Sequence, residues 1–169
     1  MDINRHLKTS FQYKNKMDTC LAPLFEHTKV TYFGYNRFYK SRQWLGLYSN
    51  PIVVEQALKN NYYPLVYTKE GFVLEDGVYF SLDMKDLLQP YISAEELESF
   101  FLQDAFEERH DLILNGICFL RSNPYYPEMF YFSTTSDIKN LRCYYQKIAE
   151  ELKLFCTFFA YEGRQMIQE

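Results

Sequence analysis

The chain of 169 residues has little of what linkers, collagen-like or low-complexity segments need, with six glycines and six prolines in no period. It also lacks an excess of positive charge. Lys and Arg number 18 against 22 Asp and Glu, a formal net charge of −4, so the basic surface that grips phosphates is missing and direct DNA or RNA binding by this chain is not expected. No run of about 20 apolar residues occurs, so no membrane-spanning helix is expected. The opening MDINRHLKTSFQYKNK lacks the apolar stretch of a secretory leader, which points to the cytoplasm. Cys20, Cys118, Cys143 and Cys156 lie far apart with no CxxC pair and read as four reduced thiols in apolar surroundings. His6, His27 and His110 are isolated, without HExxH or other ligand spacing, so neither a metal site nor a cofactor is expected. GxSxG, P-loop and GxGxxG motifs are absent. Glu95, Glu96, Glu98, Glu107 and Glu108 read as one solvated helix face rather than a paired acid and base, and no enzyme is expected.

What the chain has in excess is aromatic residues, 19 % of the total, from 16 Tyr, 15 Phe and one Trp. Its 47 % hydrophobic and 24 % charged residues are the balance of a globular protein, and a chain this long buries roughly 70 % of its unfolded surface. No repeat and no linker-like run divides it. A single domain over 1–169 is expected, with its core at about 16–160.

Met17, Cys20, Leu21, Leu24 and Phe25 recur at helical spacing and predict a helix over 16–28, with Pro23 as a break or kink. The aromatic and β-branched run 29–40 predicts a strand, and 43–49 a second strand paired with it in a hairpin. Asn50 and Pro51 suit the N-cap and first position of a short helix to Asn60. Extended structure is expected over 72–82, turned back on itself at Asp76-Gly77, followed by short helical material over 83–89. Ser93 to Glu96 forms a capping box that opens a helix over 94–109. Strands follow over 111–121 and 128–134, then a long helix capped by Ser136 or Asp137 and running to about Ala160. The last strands are apolar on both faces, which predicts a covered sheet: an α+β, three-layer α/β/α sandwich around an antiparallel sheet.

The stretch VTYFGYNRFYKSRQWLGLYSNPIVVEQALKNNYY, at 30–63, resembles the N-terminal sensor region of LuxR-type transcriptional regulators, in particular its divergent, tyrosine-rich members. The resemblance implies a PAS/GAF-like α/β/α sandwich around a five-stranded antiparallel sheet, with a small ligand held between the sheet and one helix layer. It implies a regulatory, quorum-sensing type of function, with DNA reached only through a helix-turn-helix domain, for which this chain has no segment before it ends at Glu169. The acyl-homoserine-lactone sensors carry a Trp, a Tyr and an Asp-Pro that bond their ligand. Aligned on Asn50-Pro51, those places fall at Val54, at Leu58 and near Thr68 to Glu70, so the polar handles for that ligand are absent here.

Tyrosine combines an apolar body with a hydroxyl that needs a partner when buried, the mixture that lines a pocket for a small organic molecule. The expected lining is Tyr35, Trp44, Tyr48, Tyr62, Tyr63, Phe80 and Tyr131. Asn36, Asn115 and Ser133 interrupt apolar strands and offer hydrogen bonds, and Gly34, Gly46 and Gly116 mark bulges or close approaches. In the last helix Ile138, Leu141, Tyr145, Ile148, Leu152, Phe155 and Phe159 form an a/d seam, which either packs on the sheet or pairs two copies as a homodimer. The alternative function is a PAS/GAF-like interaction or dimerisation module whose own side chains fill the hollow.

Overall fold

The computed structural model describes residues 9–39, 44–52, 67–68, 71–95, 97–98, 115–122, 125–135 and 137–168. Helix α1 spans Lys14–His27, strand β1 Val30–Phe38 and strand β2 Trp44–Tyr48. A two-residue ladder of β3 (Tyr67–Thr68) and β4 (Gly71–Phe72) precedes β5 (Gly77–Phe80), a 3-10 turn (Ser81–Asp83) and the short helix α2 (Met84–Leu88). Then come β6 (Gly116–Ser122), β7 (Pro127–Thr134) and the long helix α3 (Leu141–Gln168). Five strands form one sheet in the order β2-β1-β7-β6-β5, and every neighbouring pair is antiparallel, so the class is α+β.

The period-2 alternation of strands sorts their residues onto two faces. On the first, Phe33 and Tyr35 of β1, Ile117 and Phe119 of β6, and Phe130 and Phe132 of β7 pack beneath two helices. Met17, Leu21 and Leu24 come from α1, and Tyr145, Leu152, Cys156 and Phe159 from α3. The Phe33 ring meets Phe159 edge-on at 4.6 Å and Phe155 at 5.4 Å, and each such pair contributes about 1 kcal/mol beyond its buried area. Gly163 lets α3 settle onto the sheet: a Cβ there would stand 3.1 Å from the Tyr35 ring. The seam of α3 therefore packs on the sheet, with Tyr145, Leu152 and Phe159 fully buried. On the opposite face Cys118 and Leu120 of β6 pack with Met84 and Leu88 of α2 and with Leu97.

Several local expectations need correcting. Pro23 does not break α1, because Leu21 and Leu24 on either side of it are held in the core. The Asp76-Gly77 pair does not turn a hairpin. β5 pairs with β6, β4 pairs with β3, and the Asp76 carboxylate accepts the Ser122 backbone N–H at 2.9 Å, tying the start of β5 to the end of β6. Helix α3 begins at Leu141, after Asn140, whose side-chain oxygen accepts the Cys143 N–H at 3.1 Å. Asp137 instead accepts the Thr135 hydroxyl at 2.7 Å, and α3 continues beyond Ala160 to Gln168. The Asn50 cap stands, its side chain accepting the Ile52 N–H at 3.2 Å. The expected helix to Asn60, most of the helix over 94–109 and the first part of the strand over 111–121 lie outside the described residues.

Candidate functional site

On the face opposite α1 and α3, one row of cross-strand partners reads Tyr48, Gly34, Tyr131, Cys118, Tyr79. Tyrosines alternate with small residues, so each ring has room to lie down on the backbone. Three of them lean over a glycine. A Cβ on Gly46 would stand 2.0 Å from the Tyr48 hydroxyl, and one on Gly116 2.0 Å from the Tyr131 hydroxyl. One on Gly77 would meet the Tyr79 hydroxyl at 3.2 Å. The glycines within the strands are thus close approaches of aromatic rings, a device that also covers backbone which a glycine leaves bare.

The hydroxyls of this floor are placed on partners. Tyr48 donates to the Asn36 side-chain oxygen, and Tyr131 lies 3.2 Å from the Ser81 hydroxyl. Asn36 is buried. Tyr79, nearer the edge, donates to the Glu75 carbonyl at 2.8 Å. Tyr32 meets Tyr131 edge-on at 6.2 Å, and Trp44 meets Tyr48 at 6.4 Å. Burial pushes the Tyr48 and Tyr131 phenols up, so both remain neutral donors across the physiological range. Every strand residue of this row and the next, which reads Gly46, Asn36, Met129, Leu120 and Gly77, is uncharged.

The other face carries charge at one end of the sheet. Glu128 of β7 is opposite Arg37 of β1 on one side and Arg121 of β6 on the other. Glu128 is 0 % exposed and Arg37 3 % exposed. Arg121 donates two bonds to Glu128 Oε2, at 2.7 and 3.2 Å, while the Tyr35 hydroxyl donates to Oε1 at 2.5 Å. Arg37 in turn donates to the Tyr35 oxygen at 3.2 and 3.4 Å, with its guanidinium 4.1 Å above the Tyr126 ring. Burial raises the Tyr35 phenol, the Glu128 charge raises it further, and Arg37 opposes them. Both carboxylate oxygens are occupied and the phenol is held protonated, so this cluster is a strand clamp rather than an acid–base centre. A slip of one residue would send Arg37 and Glu128 to different faces, so the clamp also fixes register.

The expected lining divides between these two places. Trp44, Tyr48 and Tyr131 come together on the uncharged face. Tyr35 lies on the other face, in the Glu128 cluster, and Phe80 lies there too, with its ring 4.5 Å beneath the Arg142 guanidinium and 6.4 Å from Tyr145. Tyr62 and Tyr63 lie outside the described residues. Tyr32, Asn36 and Ser81 join the site; in sequence Tyr32 stands out as one of the strand tyrosines and Asn36 as a polar residue inside an aromatic strand, while Ser81 carries no signal. The Arg37, Glu128 and Arg121 cluster has a fainter signal, a cation at the end of an aromatic run.

Among the described residues no group of His, Cys, Asp and Glu is arranged to hold a metal ion, and no helix is long and apolar enough to cross a membrane. All four thiols are free, and burial raises those of Cys118 and Cys156 far above the range in which they react. Comparison with known proteins gives no matching family model, no matching curated protein and no matching solved structure.

Proposed function

We propose that this chain is a ligand-sensing regulatory domain, similar to the sensor region of LuxR-type regulators, that takes a small uncharged amphipathic molecule on the tyrosine floor of the sheet. The observation that carries the reading is the row Tyr48, Gly34, Tyr131, Cys118, Tyr79. Flat aromatic rings give apolar contact, and neutral hydroxyls at fixed positions give a few directed hydrogen bonds. Absence of charge among the described strand residues of these two rows disfavours a charged ligand, whose desolvation nothing in the row would offset. Packing of α1 and α3 on one face and of α2 on the other supports a PAS/GAF-like sandwich, in which such a ligand lies between sheet and helices.

Regulation follows from linkage. A ligand that binds the folded state adds RT ln(1 + [L]/Kd), roughly 2.7 kcal/mol at 100 times Kd. It shifts a conformational or assembly equilibrium only by the difference in its affinity for the two states. A thermal-shift screen of neutral amphipathic metabolites and signalling lipids tests the reading. A binder at that concentration raises the midpoint by about 5–10 °C. If no neutral compound stabilises the protein while charged ones do, the reading fails.

A further inference from the structure

We propose that Asn36 is the specificity-determining residue of the tyrosine floor: its amide NH2 takes a hydrogen-bond acceptor of the ligand, a carbonyl or ether oxygen, and so selects acceptor-bearing molecules over plain hydrocarbons. The inference deepens the ligand-sensing reading and rests on it. An asparagine side chain has an oxygen that accepts and an NH2 that donates twice, so a buried one needs partners at both ends. Asn36 is 4 % exposed. Its oxygen is taken, because the Tyr48 hydroxyl donates to it. Its NH2 has no hydrogen-bond partner among the described residues. A buried donor left unmatched costs free energy, and such a group in a folded protein calls for an explanation.

The strands around Asn36 supply no acceptor. It stands in β1 between Gly46 of β2 and Met129 of β7. Gly46 has no side chain, and a thioether is only a weak acceptor. Gly34 and Phe38, two residues away on the same face, offer nothing either. Backbone carbonyls of paired strands point along the sheet to their neighbours rather than out of it. The missing acceptor must therefore come from above the sheet, where the floor receives its ligand. Tyr48 decides which end of the amide is left for it. The Tyr48 ring lies over Gly46, with its hydroxyl 2.0 Å from the place of a Cβ there, and from that position it holds the Asn36 oxygen. Tyr48 and Trp44 on β2 and Tyr131 on β7 stand diagonally from Asn36, so a molecule stacked on these rings brings its own oxygen within reach of the amide. The handle is at a different place in the chain from Val54, Leu58 and Thr68 to Glu70, where the handles of the acyl-homoserine-lactone sensors would fall.

Two neutral probes of one skeleton, 4-phenyl-2-butanone and butylbenzene, provide the test, each titrated against the full chain by Trp44 emission. Both offer the rings the same apolar contact, and only the ketone carries an acceptor. The affinity for the ketone relative to the hydrocarbon is expected to be about tenfold higher in the wild type than in Asn36→Leu, the contribution of one hydrogen bond. Taking this ratio cancels the difference in hydrophobicity between the probes. Should Asn36→Leu fail to fold, the carbonyl stretch of the ketone bound to the wild type makes the same test, because a hydrogen bond moves it below its position in an alkane solvent. A ratio that the variant leaves unchanged, or a bound carbonyl that absorbs at the alkane position, overturns the role of Asn36 and leaves the floor standing as a ligand site. Failure of both probes to bind the wild type removes the floor as a ligand site, and this inference with it.

Discussion

The Tyr131 hydroxyl lies where a side chain on Gly116 would begin, 2.0 Å from the place of its Cβ. Gly46 stands in the same relation to Tyr48. These glycines are kept small by the rings above them. Gly116→Ala and Gly46→Ala must push a ring aside and are expected to cost about 2 kcal/mol each, whereas Gly77→Ala, with its ring 3.2 Å away at the edge of the sheet, costs less. Urea unfolding measures this. In a Tyr131→Leu background the cost of Gly116→Ala should largely vanish, because the overlapping atoms are gone. An undiminished cost there would show that backbone, not the ring, forbids the side chain.

Glu128 binds three strands through Arg121 and Tyr35, and through Tyr35 it reaches Arg37. Glu128→Gln removes, at a fully buried site, the charge that accepts two bonds from Arg121 and one from Tyr35. The expected loss is about 3 kcal/mol, held to the lower end of the range for buried pairs because Arg121 is partly exposed to solvent. The unfolding midpoint should fall at unchanged m-value. A loss under about 0.5 kcal/mol would mean that the cluster is no clamp.

Tyr35, Tyr48, Tyr131 and Tyr145 all have phenols raised by burial. Their folded values lie above the unfolded value of about 10, so the stability they contribute is fully present below pH 10 and is lost as pH rises beyond it. With four such groups the slope approaches about −5 kcal/mol per pH unit at high pH. Absorbance of phenolate near 295 nm should show these four ionising only with unfolding. Their titration in a chain that still shows native circular dichroism would contradict the burial of these four phenols.

Where a single element's own chemistry decides, the sequence is readable. Helical spacing of Met17, Leu21 and Leu24 marks α1, the aromatic run marks β1, and the Tyr145, Leu152 and Phe159 spacing marks the buried side of α3. Alternation along β1 separates Tyr35 from Gly34 and Asn36. Which of them shares a face with Tyr48 depends on the register across the β1–β2 turn, and that pairing, Gly34 with Tyr48, is written in no one strand. Without that register Tyr35 reads as a neighbour of Trp44 and Tyr48. Glu128 is harder still. A carboxylate at the start of a strand reads as exposed, and its burial is made tolerable by Arg121 and Tyr35, on two other strands. Asp76-Gly77 looks like a hairpin turn because the dipeptide carries the right backbone freedom, yet its carboxylate finds the Ser122 N–H across the sheet.

Trp44 is the chain's single tryptophan, and it stands beside Tyr48 on the uncharged face, so its emission reports on the proposed ligand site alone. Titration of the strongest stabilising compound should shift or quench that emission saturably, with a Kd that matches the thermal shift, and Tyr48→Phe should weaken binding about tenfold through loss of one directed hydrogen bond. Stabilising compounds that leave Trp44 emission unchanged, and bind Tyr48→Phe as tightly as the wild type, would place the ligand elsewhere and contradict the account.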